Sequence, residues 1–337
     1  MNKLDIPEVA KPDSLDYADL TPDFVLDAIE SQGYLSDLRV LTLNSYENRV
    51  FQIGIEDSAP VIAKFYRPNR WNDAQIKEEH DFSLALHALE IPVIPPMTSA
   101  DNTTLHHYKG HRFSLYERKG GHAPDLSNLD TLYTLGQHIG RIHALGCTKP
   151  FNERPTLSLQ TFGFDARSFL LKNNFIPENL LPAYQSLTDH LFEAIEAAFI
   201  QTPYDAIRLH GDCHPGNIIV RPDSMYLVDL DDARSGPAVQ DIWMLISGDE
   251  QAKRSQLSSI VEGYEEFCDM DYRQFALIEP LRTLRLIHYA GWLAKRWTDP
   301  AFPRAFPWFN TERFWSEHIL ELREQLGEIQ GPPIKIQ

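Results

Sequence analysis

Cysteine is scarce. Cys147, Cys213 and Cys268 are the only three, and no two of them form a CxxC pair. An odd, scattered set excludes a disulfide framework and a structural zinc site, and the expectation is a reducing compartment. Long apolar runs are missing too. The stretch 1–17 is polar and acidic, and nowhere do about eighteen apolar residues follow one another, so neither a signal peptide nor a membrane span is expected. The expected location is the cytoplasm, away from any membrane. Positive charge is in deficit, with 31 basic against 48 acidic residues and a formal net charge of −17. Such a surface repels nucleic acid and anionic lipid. A polyanionic ligand would have to be held by a few placed cations and a metal ion. Internal repeats and low-complexity tracts are absent as well.

What is present is material for two cores. The 337 residues are 43% hydrophobic and 23% charged, a globular composition in a chain too long for one ordinary core. A small lobe, a larger lobe and a cleft between them are expected. Thr21-Pro22-Asp23 opens an amphipathic helix that Gly33 stops. Strand-like stretches at 38–43, 49–55 and 60–66 read as an antiparallel meander, a helix covers 72–90, and further strands fall near 104–108 and 112–116. Beyond Gly120-Gly121 the pattern turns helical, with Leu135, Ile139, Ile142 and Leu145 on one face and more helix near 178–200 and 252–297. One β patch at 217–229 is expected to interrupt it, as two short strands around a turn. The predicted fold class is therefore α+β: a first lobe over 1–116 with a five-stranded antiparallel sheet and one long helix, and a mainly helical second lobe over 117–337.

The polar groups cluster around that β patch. His210-Gly211-Asp212-Cys213-His214-Pro215-Gly216-Asn217 precedes it, and Val228-Asp229-Leu230-Asp231-Asp232 follows. Phosphoryl transfer needs one carboxylate to accept the acceptor's proton and oxygen ligands to hold Mg²⁺ against phosphates. Asp212 and Asn217 have the D-x-x-x-x-N spacing in which the Asp orients a hydroxyl and the Asn binds metal. Asp229, leaving the next strand, supplies a charged metal ligand. Strand alternation puts Asp231 on the side of Asp229 and Asp232 opposite. Asp241 is expected to cap the helix that begins there and to brace the loop. His210 and His214 fit a structural role better than a two-metal hydrolase, which needs further His and Asp ligands downstream.

Upstream, Val61-Ile62-Ala63-Lys64 ends a strand in a lysine of the kind that meets the α- and β-phosphates of ATP. Glu79, on the apolar face of the following helix, is the expected partner of Lys64, and Glu78 is expected to face water. The segment 44–48, which should cover the phosphates, holds no glycine. Ser45 and nearby amides remain as donors to the nucleotide. Residues 117–121 are the expected hinge. Arg282, Arg285, His288, Trp292 and Arg296 recur at helical spacing and line either an acceptor groove or a core helix with snorkelling arginines.

The strings HGDCHPGN (210–217) and VDLDDARSGPAVQD (228–241) resemble the aminoglycoside phosphotransferase and choline kinase superfamily. Within it, LNSYENRVFQ (43–52), KFYRPNRW (64–71) and RWTDPAFPRAFPWF (296–309) are similar to the stress response kinase A family, and the similarity spans nearly the whole chain. The resemblance implies a protein-kinase-like bilobal fold and a cytoplasmic, monomeric Ser/Thr protein kinase using ATP and Mg²⁺. It also implies a link to envelope and oxidative stress and to protection from programmed death. Carried over, the proton acceptor matches Asp212, the Mg²⁺ ligands Asn217 and Asp229, the nucleotide-loop serine Ser45 and the phosphate-binding lysine Lys64. Two alternatives stay open: a kinase for an amino alcohol, sugar or aminoglycoside, and a nucleotide-binding pseudokinase.

Overall fold

In a computed structural model the protein is described over residues 17–336. The expectation of no leader segment concerns residues 1–16 and lies outside the described residues. Two compact units emerge, one running to His80 and resuming over Pro95–Lys119, the other comprising Asp81–Ile94 and the chain from Gly120 onward.

The first unit begins with α1 (Pro22–Glu30), whose N-terminus Thr21 caps by accepting the Phe24 amide at 3.3 Å. Five antiparallel strands follow: β1 (Ser36–Thr42), β2 (Arg49–Ile55), β3 (Val61–Phe65), β4 (His106–Tyr108) and β5 (His111–Glu117), in the order β1-β2-β3-β5-β4. β1 is not the plain strand expected, because its register slips between Ser36 and Val40 and Leu38 takes a φ of 66°. Alternate residues of β2, β3 and β5, among them Phe51, Ile53, Phe65, Phe113 and Leu115, bury against Val25, Ala28 and Ile29 of α1. This is the period-two pattern of a strand meeting a period-3.6 helix face. The long helix α2 (Asp73–Ala88) contributes its first half, Ile76 and Glu79 included, to this unit.

The second unit is mainly helical: α3 (Leu129–Gly146), α4 (Asp165–Lys172), α5 (Leu181–Gln201), α6 (Glu250–Tyr264), α7 (Ile278–Lys295), α8 (Ala301–Ala305) and α9 (Glu312–Gln330). The hairpin expected at 217–229 is β7 (Ile218–Arg221) with β8 (Ser224–Leu227). It is not alone, however. β6 (Ile207–Leu209) pairs with β9 (Arg234–Gly236), three-residue strands too short to leave an alternation in the sequence. The helical stretch expected over 252–297 is two helices, and a 3₁₀ segment at Tyr272–Leu277 leads into the second. α9 was not foreseen, although Trp315, His318, Ile319 and Leu322 give it a buried stripe at helical spacing. α3 and α6 approach through glycines. A Cβ on Gly136 would lie 2.0 Å from Ile260 O, and one on Gly263 would lie 2.0 Å from Tyr133 O. Among the described residues no helix is long and apolar enough to cross a membrane.

Candidate functional site

The segment between β6 and β7 has almost no regular structure, so its shape comes from a buried polar frame. Asp241, 1% exposed, accepts the amides of His210 at 2.7 Å and Gly211 at 2.8 Å, and the Nε2 of His143 on α3 at 3.0 Å. Tyr264 of α6 completes this frame through a 3.0 Å hydrogen bond to His143 Nδ1. Gln240 Nε2 donates to Gly211 O at 3.2 Å. Gly211 has a φ of 85°, in the region that favours glycine, and a Cβ there would lie 2.2 Å from Asp232 O. Asp241 thus braces the loop but caps no helix. It ends one 3₁₀ turn, and the next turn, Trp243–Leu245, is preceded by Ile242.

On this frame Asp212 and Asn217 are brought together. Asn217 Nδ2 donates to Asp212 O at 3.0 Å and reaches Asp212 Oδ2 at 3.5 Å. That leaves the Asn217 Oδ1 as its outward acceptor. His214 Nδ1 accepts the Gly216 amide at 3.0 Å, so its Nε2 carries the proton and faces Asp212 Oδ2 at 3.4 Å. From α7, Arg285 Nη1 stands 2.6 Å from Asp212 Oδ1. Burial favours the neutral acid at Asp212, but the His214 hydrogen bond and the Arg285 charge outweigh both burial and nearby Asp232, holding the carboxyl below its usual range. His210 locks the loop to the hairpin: Nε2 donates to Val228 O at 2.9 Å, and the Val228 amide donates to Asn217 O at 2.9 Å.

Asp229 follows directly, exposed and in the left-handed region at φ 62°. A non-glycine residue held there signals a backbone fixed by its surroundings. Residues 230–232 then form a 3₁₀ turn, so strand alternation does not sort Asp231 from Asp232. Asp231 is buried, Arg154 donates to its carbonyl and at 2.8 Å to Ala233 O, and Asp232 pairs with Arg234 at 2.6 Å. Among the described residues no group of three or more His, Cys, Asp or Glu is placed to hold a metal. Asn217 and Asp229 offer one amide oxygen and one carboxylate. Such a sparse oxygen set suits Mg²⁺, which keeps waters and shares phosphate oxygens.

In the first unit Lys64 is buried in β3, between Val50 of β2 and Ser114 of β5, with its Nζ 5.5 Å from the centroid of the Tyr66 ring. Glu79 is buried, at 3.8 Å from His80 Nε2, whereas Glu78 is half-buried. Ser45 is half-buried in a loop that needs no glycine because arginine pins it. Arg67 Nε donates to Glu47 O at 2.8 Å, Arg67 Nη2 donates to Tyr46 O at 3.0 Å, and Asn48 Oδ1 accepts the Arg67 amide at 3.1 Å. The contributions of Arg67, Arg154, His143 and Tyr264 were missed in the sequence because each acts from outside the motif it supports.

The profile of the Phosphotransferase enzyme family matches residues 39–278, which include both polar clusters and the lysine strand. The chain belongs to that family. This phosphotransferase is 42% identical to a stress response kinase A of Escherichia coli over 317 residues, 94% of this chain and 96% of the relative. It is 41% identical to the serine/threonine protein kinase RdoA of Salmonella typhimurium over the same share of both chains. Solved structures show the fold. An amicoumacin kinase in complex with AMP-PNP and Ca²⁺ aligns with a TM-score of 0.70 at 18% identity, covering 92% of this chain and 94% of that one. A microcompartment-associated aminopropanol kinase aligns at 0.65 and 16%, covering 90% and 96%. The phosphotransferase thus has the α+β kinase-like architecture, an antiparallel five-stranded sheet with a helical region after it.

Proposed function

We propose that this phosphotransferase is an ATP- and Mg²⁺-dependent Ser/Thr protein kinase of the cytoplasm, acting as a monomer in a stress response. The observation that carries the reading is the interlocked pair of Asp212 and Asn217, hydrogen-bonded at 3.0 Å and tied through Val228 to the exposed carboxylate of Asp229. Kinship supports the acceptor class, since close relatives bear the names stress response kinase and serine/threonine protein kinase. An AMP-PNP complex on the same fold supports the nucleotide.

In this reading Asp212 orients the acceptor hydroxyl and takes its proton. The hydroxyl oxygen bonds to the γ-phosphorus as the bond to the bridging β,γ-oxygen breaks, and ADP leaves with that electron pair. Lys64, held by Glu79, contacts the α- and β-phosphates, and Ser45 with the arginine-pinned loop covers them. Asn217 and Asp229 hold Mg²⁺, which supplies neutralisation of charge on the phosphoryl oxygens. Residues 117–121 act as hinge between lobes at 1–116 and 117–337, their backbone reading adenine.

The test incubates the protein with labelled ATP, Mg²⁺ and a generic protein substrate, following autophosphorylation as well. Asp212→Ala is expected to fold normally and lose transfer by about 10³-fold or more. Unchanged turnover in that variant removes the assignment. Nucleotide binding with no transfer by the wild type selects the pseudokinase. A second reading, a small-molecule acceptor, draws on the amicoumacin and aminopropanol kinases that share the fold. Transfer to amino alcohols or aminoglycosides, with none to protein, would select it.

A further inference from the structure

Asp212 presents two different oxygens. Oδ2 is approached by His214 at 3.4 Å and Asn217 at 3.5 Å, both from its own loop. Oδ1 is buried and has no donor aligned on it as a hydrogen bond, although Arg285 Nη1 stands 2.6 Å away. The guanidinium is near but off axis. A hydroxyl entering beside Oδ1 would supply the aligned donor that Arg285 does not.

Arg285 is well placed to change partners. It projects from α7 with about a third of its side chain exposed, whereas Arg282, one turn earlier, is committed to Glu279 at 3.0 Å. One turn later His288 is half-buried and stacked on Phe162 at 4.3 Å, with Arg234 on the same ring at 4.8 Å. Arg234, the cation nearest this face, has its acid in Asp232 at 2.6 Å. Once a hydroxyl takes Oδ1, Arg285 is the cation that loses its carboxylate.

We propose that Arg285 is the acceptor-selecting and Asp212-positioning residue, and that it favours a reacting hydroxyl standing next to a carboxylate, as in an acidic Ser/Thr segment. The inference rests on the reading of Asp212 as the acceptor-side carboxylate. A carboxylate replaces Asp212 as the partner of Arg285 through a charge-assisted, bidentate contact. A hydroxyl beside an ammonium group, as in amino alcohols and aminoglycosides, would instead set like charges side by side.

The experiment measures kcat and KM for three serine peptides of one length whose serine is flanked by Asp, Ala or Arg. It uses the wild type, Arg285→Ala, Arg285→Lys and Arg285→Glu. The wild type is expected to rank them acidic, neutral, basic, by about tenfold per step in kcat/KM. Arg285→Ala flattens the ranking, mainly through a KM raised about tenfold for the acidic peptide; Arg285→Lys restores part of it; Arg285→Glu reverses it. An unchanged ranking in Arg285→Ala, or a wild type that prefers the basic peptide, overturns the proposal. Binding of a fluorescent ATP analogue, which needs no acceptor, and slow ATP hydrolysis, in which water replaces the acceptor hydroxyl beside Asp212, separate the two levels. If Asp212→Ala leaves hydrolysis intact, the underlying reading fails. If no peptide is phosphorylated, the same charge series is run with glycerate, glycerol and ethanolamine. An ethanolamine preference there overturns the role of Arg285.

Discussion

In the first unit the candidate cation sits in the middle of a regular ladder, Lys64 between Val50 and Ser114, and is buried. In the second the candidate anions sit where regular structure stops. Asp212 follows Gly211 at φ 85°, and Asp229 itself is left-handed at φ 62°. A strand places its side chain through backbone pairing, which any residue with a fitting side chain preserves. An irregular loop has no such support and is held by side chains, here Asp241, His143, His210 and Arg154. Chemistry and stability should therefore separate in the first unit and stay coupled in the second.

The largest effect tests the first half of that contrast. Lys64→Met combined with Glu79→Leu removes the two buried charges of the proposed pair at once, and well-packed apolar replacements of such a pair are often neutral or stabilising by about 1–4 kcal/mol. Labelled-phosphate transfer is expected to fall by about 10³-fold while the urea midpoint stays or rises. A lower midpoint would show that the sheet depends on those charges after all. Asp241→Ala tests the second half. It strands the amides of His210 and Gly211 and the ring N–H of His143 in a buried site, at a cost of about 3 kcal/mol or more. Denaturant unfolding should show that loss together with lost transfer. A wild-type midpoint would mean that the loop holds itself.

Acid separates the units less sharply. His318 of α9 is fully enclosed beside Tyr184, Phe314 and Trp315, and burial lowers its pKa from 6.5 to about 4. The folded form keeps the ring neutral while the unfolded chain protonates it. The stabilisation is therefore complete above about pH 6.5 and is lost as pH falls towards 4, about 3 kcal/mol in all. His318→Phe should flatten the acid limb of unfolding free energy against pH by roughly that amount. An unaltered limb would assign the acid sensitivity elsewhere.

The contrast also explains what could be read beforehand. α1, α2 and the strands β1, β2, β3 and β5 follow from apolar periodicity and punctuation, since each is long enough to show its period, and the three-residue β4 follows from the turn that joins it to β5. The polar strings around Asp212 and Asp229 were legible as strings. The roles of Asp241, Asp231 and Asp232 were not, because 3₁₀ turns and a left-handed residue replace the helix and strand that the local arguments assumed. β6 and β9 were illegible because pairing between residues 207–209 and 234–236 is a long-range fact carried by only three residues on each side. The missing glycine in the loop over 44–48 pointed to a weakness that Arg67 removes, and nothing within the loop reveals an arginine some twenty positions away.

The smallest effect concerns how the helical frame itself is held. Asp241 reaches α3 through His143, and His143 reaches α6 through Tyr264, so the spacing of these two helices enters the geometry of the loop. That spacing is set by backbone contact: Gly136 and Gly140 of α3 face Ile260 O and Tyr264 O, and Gly263 of α6 faces Tyr133 O. Gly263→Ala puts a methyl 2.0 Å from a carbonyl that cannot rotate away, so the helices must part. Overpacking of this kind costs about 2 kcal/mol, enough to outweigh the better helix propensity of alanine. Gly327→Ala in α9, where a Cβ meets nothing within 4 Å, is the matched control and should raise stability by up to about 1 kcal/mol. If both variants shift the unfolding midpoint upward, α3 and α6 yield freely and their contact does not set the loop. If Gly263→Ala lowers the midpoint and also slows transfer, the coupling from helix packing to the Asp212 loop is established by a substitution made at the helix contact and outside the loop.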